Sequence, residues 1–534
     1  MSSSAPNQRR IGIFGWGVVA PRSPTVDAFR ANLRQAGMWM EPFDGFGPSN
    51  FLVGVPKFDF AVYKPWIDQR FKPAKYAQLE KKMGAPVQYA IGAFIQALGQ
   101  NPGIETTLRD LGIQTHVYVG TGVGDIPVTY EVAIGYYKAQ RRWDRFWAAP
   151  ERCCARRDFQ AASESARAEL RAAHAIPPEP VDRGDPIALE EQQEAFDRYW
   201  ARRSDGLQGY LEQARRIQSE PVAGEVESAK KHAIKHKLIE MKKLQERCGC
   251  PTEPWNSISP NLIWNIANTP ASQISMLGRL HGPSWAPVGA CSGFGLALKL
   301  AIDSIRGGHA RAAVVGMTDP PPHPLTVGAF YAANVLAADR QASKPLTDLR
   351  GTHVAGGACI WIVGDVDYMR QLGYQPVGME LLAVALSSDA EHIITPSKEG
   401  PRIAIREAIR QAGIEPEELA TWDLHATATP GDYLEVEIAR EFVPDGAYLT
   451  ARKGIFGHGM SVGGGWELTA QHLGVEEGIL YPTSLREDEL NAEIKTLHSC
   501  YVFDRSVPFQ SRFAGKINMG IGGINSVIIS RRWD

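Results

Sequence analysis

The stretch Gly282-Pro283-Ser284-Trp285-Ala286-Pro287-Val288-Gly289-Ala290-Cys291-Ser292-Gly293-Phe294-Gly295 runs from a short extended segment through a turn of small residues. Residues 296–305 then carry apolar side chains at helical spacing and stop at Gly307-Gly308. Strand, tight turn and helix follow one another, with Cys291 on the turn. A thiol there feels the positive end of the helix dipole and the nearby backbone N–H groups, which favour thiolate. Small residues on both sides leave room for a substrate. A lone cysteine is more often just a buried one, so its meaning depends on what else the chain brings to it.

Outward from this turn the text alternates between strand and helix. Residues 10–21 read as a buried strand entering a Gly/Pro turn, followed by an amphipathic helix over 25–35. A helix over 86–98 and a strand over 116–120 continue the pattern, and it resumes with strands at 312–316, 359–363, 377–386 and 422–424 and a helix at 403–413. Such alternation predicts an α/β fold with a mainly parallel sheet covered by helices. Gly120-Thr121-Gly122-Val123-Gly124 is glycine-rich but lacks the spacing of a dinucleotide fingerprint, and reads as a strand-exit loop. Both halves of the chain place a reactive-looking residue after a strand, which hints at internal duplication.

Between these α/β segments, residues 141–253 are dense in Arg, Glu, Gln, Lys and Ala with helical periodicity over 189–217 and 226–247. This marks a helical, charged insertion, so the predicted organisation is one half over 1–140 and 254–365, the insertion over 141–253, and a second half over 366–534. Its basic run, Lys230-Lys231-His232 through Lys242-Lys243, reads as a solvated helix face, with an acidic carrier protein as the alternative occupant. Cys153-Cys154 and Cys248-x-Cys250 do not have the usual spacing of a zinc site.

The 534 residues are 44% hydrophobic with a formal net charge of −2, a composition that fits a globular core and gives no bias toward nucleic acid or an anionic membrane. No apolar run reaches membrane-spanning length, and residues 1–10 lack the apolar core of a signal peptide. Seven cysteines in so long a chain make no disulfide framework. A cytoplasmic protein is the expectation.

Two further segments carry residues suited to acyl chemistry. In His425-Ala426-Thr427-Ala428-Thr429-Pro430-Gly431-Asp432 a histidine leaves a strand and two hydroxyls follow. In Lys453-Gly454-Ile455-Phe456-Gly457-His458-Gly459 a second histidine sits in a glycine-rich turn before a helical segment. One such histidine is readily a structural residue; two, with a cysteine on a helix-opening turn, are hard to explain by packing.

With Ala290-Cys291-Ser292-Gly293, His425-x-Thr427-x-Thr429-Pro430, Lys453 through His458 and the tail Gly520-Ile521-Gly522-Gly523-Ile524-Asn525 in this order, the chain resembles the β-ketoacyl-ACP synthases of the elongating, two-histidine type, in the thiolase superfamily. Residues 10–21, 259–282, 345–357 and Ile479-Leu480-Tyr481-Pro482-Thr483 resemble further parts of that family; the insertion lies outside it. The resemblance implies a thiolase fold of two similar halves in a five-layered α/β/α/β/α body, usually a homodimer. It implies decarboxylative Claisen condensation of a Cys291-bound acyl group with a malonyl thioester, with acyl carrier protein as partner. No metal is implied, and no cofactor beyond the carrier's phosphopantetheine.

By the same resemblance His425 and His458 stabilise the enolate, and Lys453 orients them with Glu435 as its ion-pair partner. The backbone N–H groups of Cys291 and Ile521 form the oxyanion hole. Thr427, Thr429, Gly522 and Gly523 receive the phosphopantetheine arm. The chain departs from the family in four places. His425 and Glu435 are one residue closer together, and Ile521 stands where a gating phenylalanine is typical. Gly351-Thr352-His353 replaces Asp-Gly-Phe, and Ser292-Gly293-Phe294 resembles the priming synthases. Two alternatives stay open: a non-catalytic chain-length partner of a second synthase, and a priming or thiolase-like enzyme using acyl-CoA. Fatty acid and polyketide pathways are both compatible.

Overall fold

The computed structural model describes residues 9–221, 226–393 and 397–534, excluding the side chains of 226–230. The expectations for residues 1–8 and for the Lys230 side chain therefore lie outside the described residues. The chain divides into two compact units, 1–128 with 263–534, and 129–262.

The larger unit is built on ten strands: β1 (Ile11–Val19), β2 (Thr115–Gly120), β3 (Ser284–Trp285), β4 (Ala312–Asp319), β5 (Gly357–Asp365), β6 (Glu380–Ser388), β7 (Leu419–Asp423), β8 (Tyr448–Thr450), β9 (Phe513–Gly520) and β10 (Ile524–Arg531). They form two five-stranded sheets, in the orders β1-β5-β4-β2-β3 and β6-β10-β9-β7-β8. Counted within each half, both orders are first-fifth-fourth-second-third, and the pairings repeat. The first two are antiparallel and the last two parallel. The duplication suspected from the sequence is thus a duplication of topology. The mainly parallel sheet expected from strand–helix alternation is corrected to a mixed one. In each half the last strand returns antiparallel between the first and the fourth, and a pairing that spans the whole half leaves no mark in local periodicity.

Six helices order the layers: α1 (Ala85–Leu98), α2 (Thr269–Gly278), α3 (Gly293–Arg306), α4 (Glu399–Ala412), α5 (Gly431–Ala439) and α6 (Gly463–Glu476). α3 and α6 share one core with β1, β4 and β5 of the first sheet and with Leu381, Val384 and Ile528 of the second. They form the middle layer of an α/β/α/β/α body. The outer face of the first sheet is covered by α1 and α2, and that of the second by α4 and α5. Every residue of β1, β4 and β5 is buried, which is why these strands read as continuous apolar runs. A Cβ on Gly465 would lie 2.6 Å from the Phe294 ring, so glycine at that place lets α3 and α6 pack against each other. This body is the thiolase fold.

The smaller unit, 129–262, contains the helices Cys154–Ala161, Glu164–His174, Pro186–Ala201 and Asp205–Ser219, with Val226–Cys248 closing it. Its own core is aromatic, formed by Trp143, Trp147, Phe159, Phe196, Trp200 and Tyr210. Side-chain N-caps from Ser163, Asp185 and Ser204 fix three of the helix starts. The unit is wider than the 141–253 read from composition. The helix Ile126–Ala148 runs through Arg141 without a break, and Trp255 packs against Trp143 with ring centroids 5.8 Å apart.

Candidate active site

Cys291 lies on a single 3-10 turn, Ala290–Ser292, that leads into α3. Ser292 anchors the turn, its hydroxyl lying within hydrogen-bond reach of the carbonyls of Asn518 (2.9 Å) and Ile524 (2.7 Å) on β9 and β10. The Cys291 turn of the first half is thereby tied to the strands of the second. His425 follows β7, and His458 sits between β8 and α6. The Cys291 Sγ is 3.2 Å from His458 Nε2, and one ligating atom from each of Cys291, His425 and His458 lies within 4.8 Å of the others. All three are buried. They line a cavity of about 470 Å3 with Phe330, Asn334, Thr352, Thr427, Thr429, Asp389, Ile521 and Gly523.

A non-glycine residue in the left-handed region stands in or directly after each motif: Ala290 (φ 45°), Ala428 (φ 61°) and Met460 (φ 50°). Such strain gathers where surrounding structure over-determines a functional geometry. Buried carboxylates do that here. Asp319, at the end of β4, accepts from Thr121 Oγ1 (3.0 Å), Gly122 N (2.8 Å) and Val123 N (3.2 Å), and through its other oxygen from Ser461 N (3.0 Å) and Oγ (2.5 Å). It ties the strand-exit loop at 120–124 to the loop of His458. Asp432 accepts from the N–H groups of Leu346, Thr427, Ala428 and Thr429. Glu435 accepts from those of His425 (2.5 Å) and Ala426 (2.7 Å).

This corrects the pairing expected for Lys453. Glu435 holds the backbone of His425, and the Lys453 ammonium instead meets Glu467 on α6 at 2.7 Å. It also donates to the His425 carbonyl and lies 3.3 Å from His425 Nδ1. Glu467 was missed in the sequence. It is the one acid within residues 463–475, a helical stretch buried throughout, and such a position demands a cation.

The two imidazoles have assigned tautomers. His458 Nδ1 accepts the Met460 N–H at 3.2 Å. His425 Nδ1 faces two donors, Lys453 Nζ and Asn518 Nδ2, the latter at 3.4 Å. Both rings therefore carry their proton on Nε2. Burial lowers both basicities, Lys453 adding to the effect: His458 falls to about 3 and His425 well below its usual range. Two neutral imidazoles present N–H donors to one cavity. Inward N–H groups suit the binding of developing negative charge better than the ligation of a metal, which needs lone pairs.

Burial also pushes the Cys291 thiol up to about 11, against the opposing pull of Lys453 and of the Ile521 N–H. Desolvation here works against the thiolate that the helix dipole favours. Burial raises Asp432 to about 6. It raises Glu435 to about 7, with the neighbouring Asp432 charge adding to the shift.

The remaining expected residues divide. Thr427 and Thr429 line the cavity with their hydroxyls 3.0 Å apart. Gly523 lines it and Gly522 does not; the Gly522 N–H donates to the Ile393 carbonyl at 2.7 Å. Gly520 packs against the nucleophile turn so closely that a Cβ would come 3.2 Å from the Cys291 nitrogen. His353 is a scaffold residue. Its carbonyl accepts the His458 N–H at 2.6 Å, and its Nε2 accepts the Ser343 N–H at 2.8 Å.

Fold and site together resemble those of the thiolase-type condensing enzymes. Comparison with known proteins makes the assignment specific. Residues 239–363 match the family described as beta-ketoacyl synthase, N-terminal domain, and residues 379–485 match beta-ketoacyl synthase, C-terminal domain. The chain is thus similar to the beta-ketoacyl synthases in both halves of its larger unit. It is 28% identical to 3-oxoacyl-[acyl-carrier-protein] synthase 2 of Rhizobium meliloti (strain 1021) over 52% of this chain and 67% of that protein. It is 26% identical to nodulation protein E of Rhizobium leguminosarum bv. trifolii over 49% and 65%, and the match to nodulation protein E of Rhizobium sp. (strain N33) covers 54% of that relative. Among solved structures, a beta-ketoacyl synthase from Burkholderia phymatum superposes with a TM-score of 0.66 at 16% identity, covering 98% of this chain and 100% of that one. The ishigamide ketosynthase/chain length factor does so with 0.65 at 19%, covering 99% and 100%.

Proposed function

We propose that this protein catalyses decarboxylative Claisen condensation between an acyl group carried on Cys291 and a malonyl thioester. The observation that carries the reading is the pair of neutral Nε2–H donors beside one buried sulfur. In the first half-reaction the Cys291 sulfur attacks the acyl thioester, the carrier's C–S bond breaks, and the thiol proton leaves on the carrier sulfur. The malonyl thioester then loses CO2, and charge builds on its thioester oxygen. His425 and His458 are the prepositioned donors for that oxygen, in a site where burial strengthens each hydrogen bond. The resulting carbon attacks the acyl-enzyme carbonyl. A C–C bond forms, the C–S bond to Cys291 breaks, and the released thiolate takes up a proton. The backbone N–H of Ile521, directed at the sulfur, and that of Cys291 serve as oxyanion hole for both attacks.

The cavity bordered by Thr427, Thr429 and Gly523 receives the phosphopantetheine arm of an acyl carrier protein, and the chemistry needs no other cofactor. One solved neighbour is a type II polyketide ketosynthase in complex with its acyl-carrier protein, which supports a carrier as partner. β3 is an edge strand, and beside it Trp285, Val288 and Met276 are each more than half exposed. This supports a homodimer formed along that edge. Free cysteines throughout, and no helix among the described residues long and apolar enough to cross a membrane, support work in the cytoplasm.

An intact Cys291 favours an active synthase over a non-catalytic chain-length partner, and the two-histidine set favours malonyl decarboxylation over thiolase-like use of acetyl-CoA. Incubation with acyl-ACP or acyl-CoA should leave one acyl adduct by mass spectrometry, absent in Cys291→Ala. His425→Ala should slow malonyl-ACP decarboxylation by about 100-fold or more. Absence of any adduct, or unchanged decarboxylation in the histidine variant, would refute the assignment.

A further inference from the structure

Lys516 sits in the middle of β9, its Cα opposite Asp423 in the parallel register with β7. It is fully buried. Its ammonium uses its three donors on the carbonyls of Leu424 (3.1 Å) and Ile517 (2.6 Å) and on Glu467 Oε2 (2.8 Å). Glu467 is therefore gripped by two lysines, Lys516 on one oxygen and Lys453 on the other. Leu424 directly precedes His425. Lys516 thus holds both the backbone that delivers His425 and the carboxylate that aims Lys453 at its Nδ1.

The cluster continues on the other side. Asp423 Oδ1 lies 3.6 Å from Lys516, and Asp423 Oδ2 accepts from Arg452 Nε at 2.6 Å, all but unexposed. Three cations, Arg452, Lys453 and Lys516, against two carboxylates, Asp423 and Glu467, leave one positive charge beneath the site. A buried charge of this size needs such mutual pairing to persist. Burial alone would raise the Glu467 carboxyl; the two lysines outweigh it and hold it below the usual carboxylate range.

We propose that Lys516 is a positioning residue for the condensation assigned above, acting through Glu467 and Lys453 to keep His425 a neutral Nε2–H donor. The charged and titratable groups facing His425 are Lys453 from the turn after β8, Glu467 from α6, Lys516 from β9, and His458 and Cys291 across the cavity. Glu435 of α5 holds its main chain. Removing Lys516 changes the balance from one net positive charge to none, and imidazolium then forms more readily. An imidazolium keeps its Nε2–H but puts a second proton on Nδ1, against Lys453.

The proposal rests on the condensing function, and the test separates the two. Malonyl-ACP decarboxylation and Cys291 acylation are measured against pH for the wild type, Lys516→Met and the double variant Lys516→Met/Asp423→Asn, which restores the net charge. The expected result for Lys516→Met is decarboxylation lower by about 10- to 100-fold, an acid limb displaced to higher pH, and acylation within about twofold of wild type. In the double variant the acid limb returns toward that of the wild type. A wild type that neither acylates nor decarboxylates defeats the functional assignment itself. A wild type that does both, with a Lys516→Met profile of unchanged shape, defeats this proposal alone. Near-ultraviolet circular dichroism identifies misfolding of the single variant. In that case the profile of the double variant decides, an acid limb displaced as far as charge removal predicts overturning the charge argument.

Discussion

Cys291 Sγ and His458 Nε2 stand 3.2 Å apart with the imidazole as donor and the sulfur as acceptor. The histidine is in the wrong tautomer to take a proton from the thiol. Burial favours the thiol form of Cys291, so the nucleophile proposed above would become reactive only as it attacks.

The first prediction follows from that geometry. Iodoacetamide alkylation of Cys291, read by mass spectrometry across pH 6 to 11, should climb throughout the alkaline range, because burial pushes the thiol up to about 11. A rate already level at pH 8 would show that the oriented N–H groups win over desolvation.

Glu435 and Glu467 should behave differently when each is changed to glutamine. Glu467→Gln leaves Lys453 and Lys516 without their shared counter-charge. It should lower decarboxylation by about 100-fold and stability by roughly 3–5 kcal/mol. Glu435→Gln still accepts one of the two N–H groups of His425 and Ala426 and should cost roughly 1–3 kcal/mol. Equal losses in chemical denaturation would contradict the pairing found here.

Asp319 is not among the residues lining the cavity, yet it gathers five donors from two loops. Asp319→Ala should reduce unfolding free energy by roughly 3–5 kcal/mol, the cost of stranding buried donors. It should also lower turnover, because the loop of His458 loses its anchor. Asp319→Asn should recover part of both.

Stability should fall as the solution is acidified. His458 and His472 are held neutral, at about 3, by burial. The unfolded chain binds protons there from pH 6.5 downward while the native state does not, so each contributes about 1.4 kcal/mol of lost stability per pH unit in that window. Glu435, raised to about 7 by burial and by Asp432, works in the opposite sense between pH 4.5 and 7. His472 joins Met379 N to Ser530 Oγ away from the cavity. His472→Gln should therefore lower the acid-unfolding midpoint without altering the activity profile. An unmoved midpoint would exclude His472 as a contributor.

How much of this was legible in the sequence follows from where the information lies. Cys291, His425, His458 and Lys453 stand in small-residue turns whose local text announces them, and their convergence was expected. Glu467 and Lys516 escaped notice because their meaning is a pairing across a helix and a strand, each unremarkable alone. A lysine within Phe513-Ala514-Gly515-Lys516-Ile517 is the one local clue. Strand positions were readable from apolar runs, but the antiparallel return of β5 beside β1 was not, since more than 300 residues separate them. The compact unit 129–262 reaches beyond the composition change at Arg141, which falls inside a helix that continues on both sides.

The repeated sheet order divides the cluster between two structurally alike partners: one repeat carries the sulfur and the other both imidazoles. Neither repeat alone holds the proposed site, so whatever loosens the seam between them takes the cluster apart without altering any of its members.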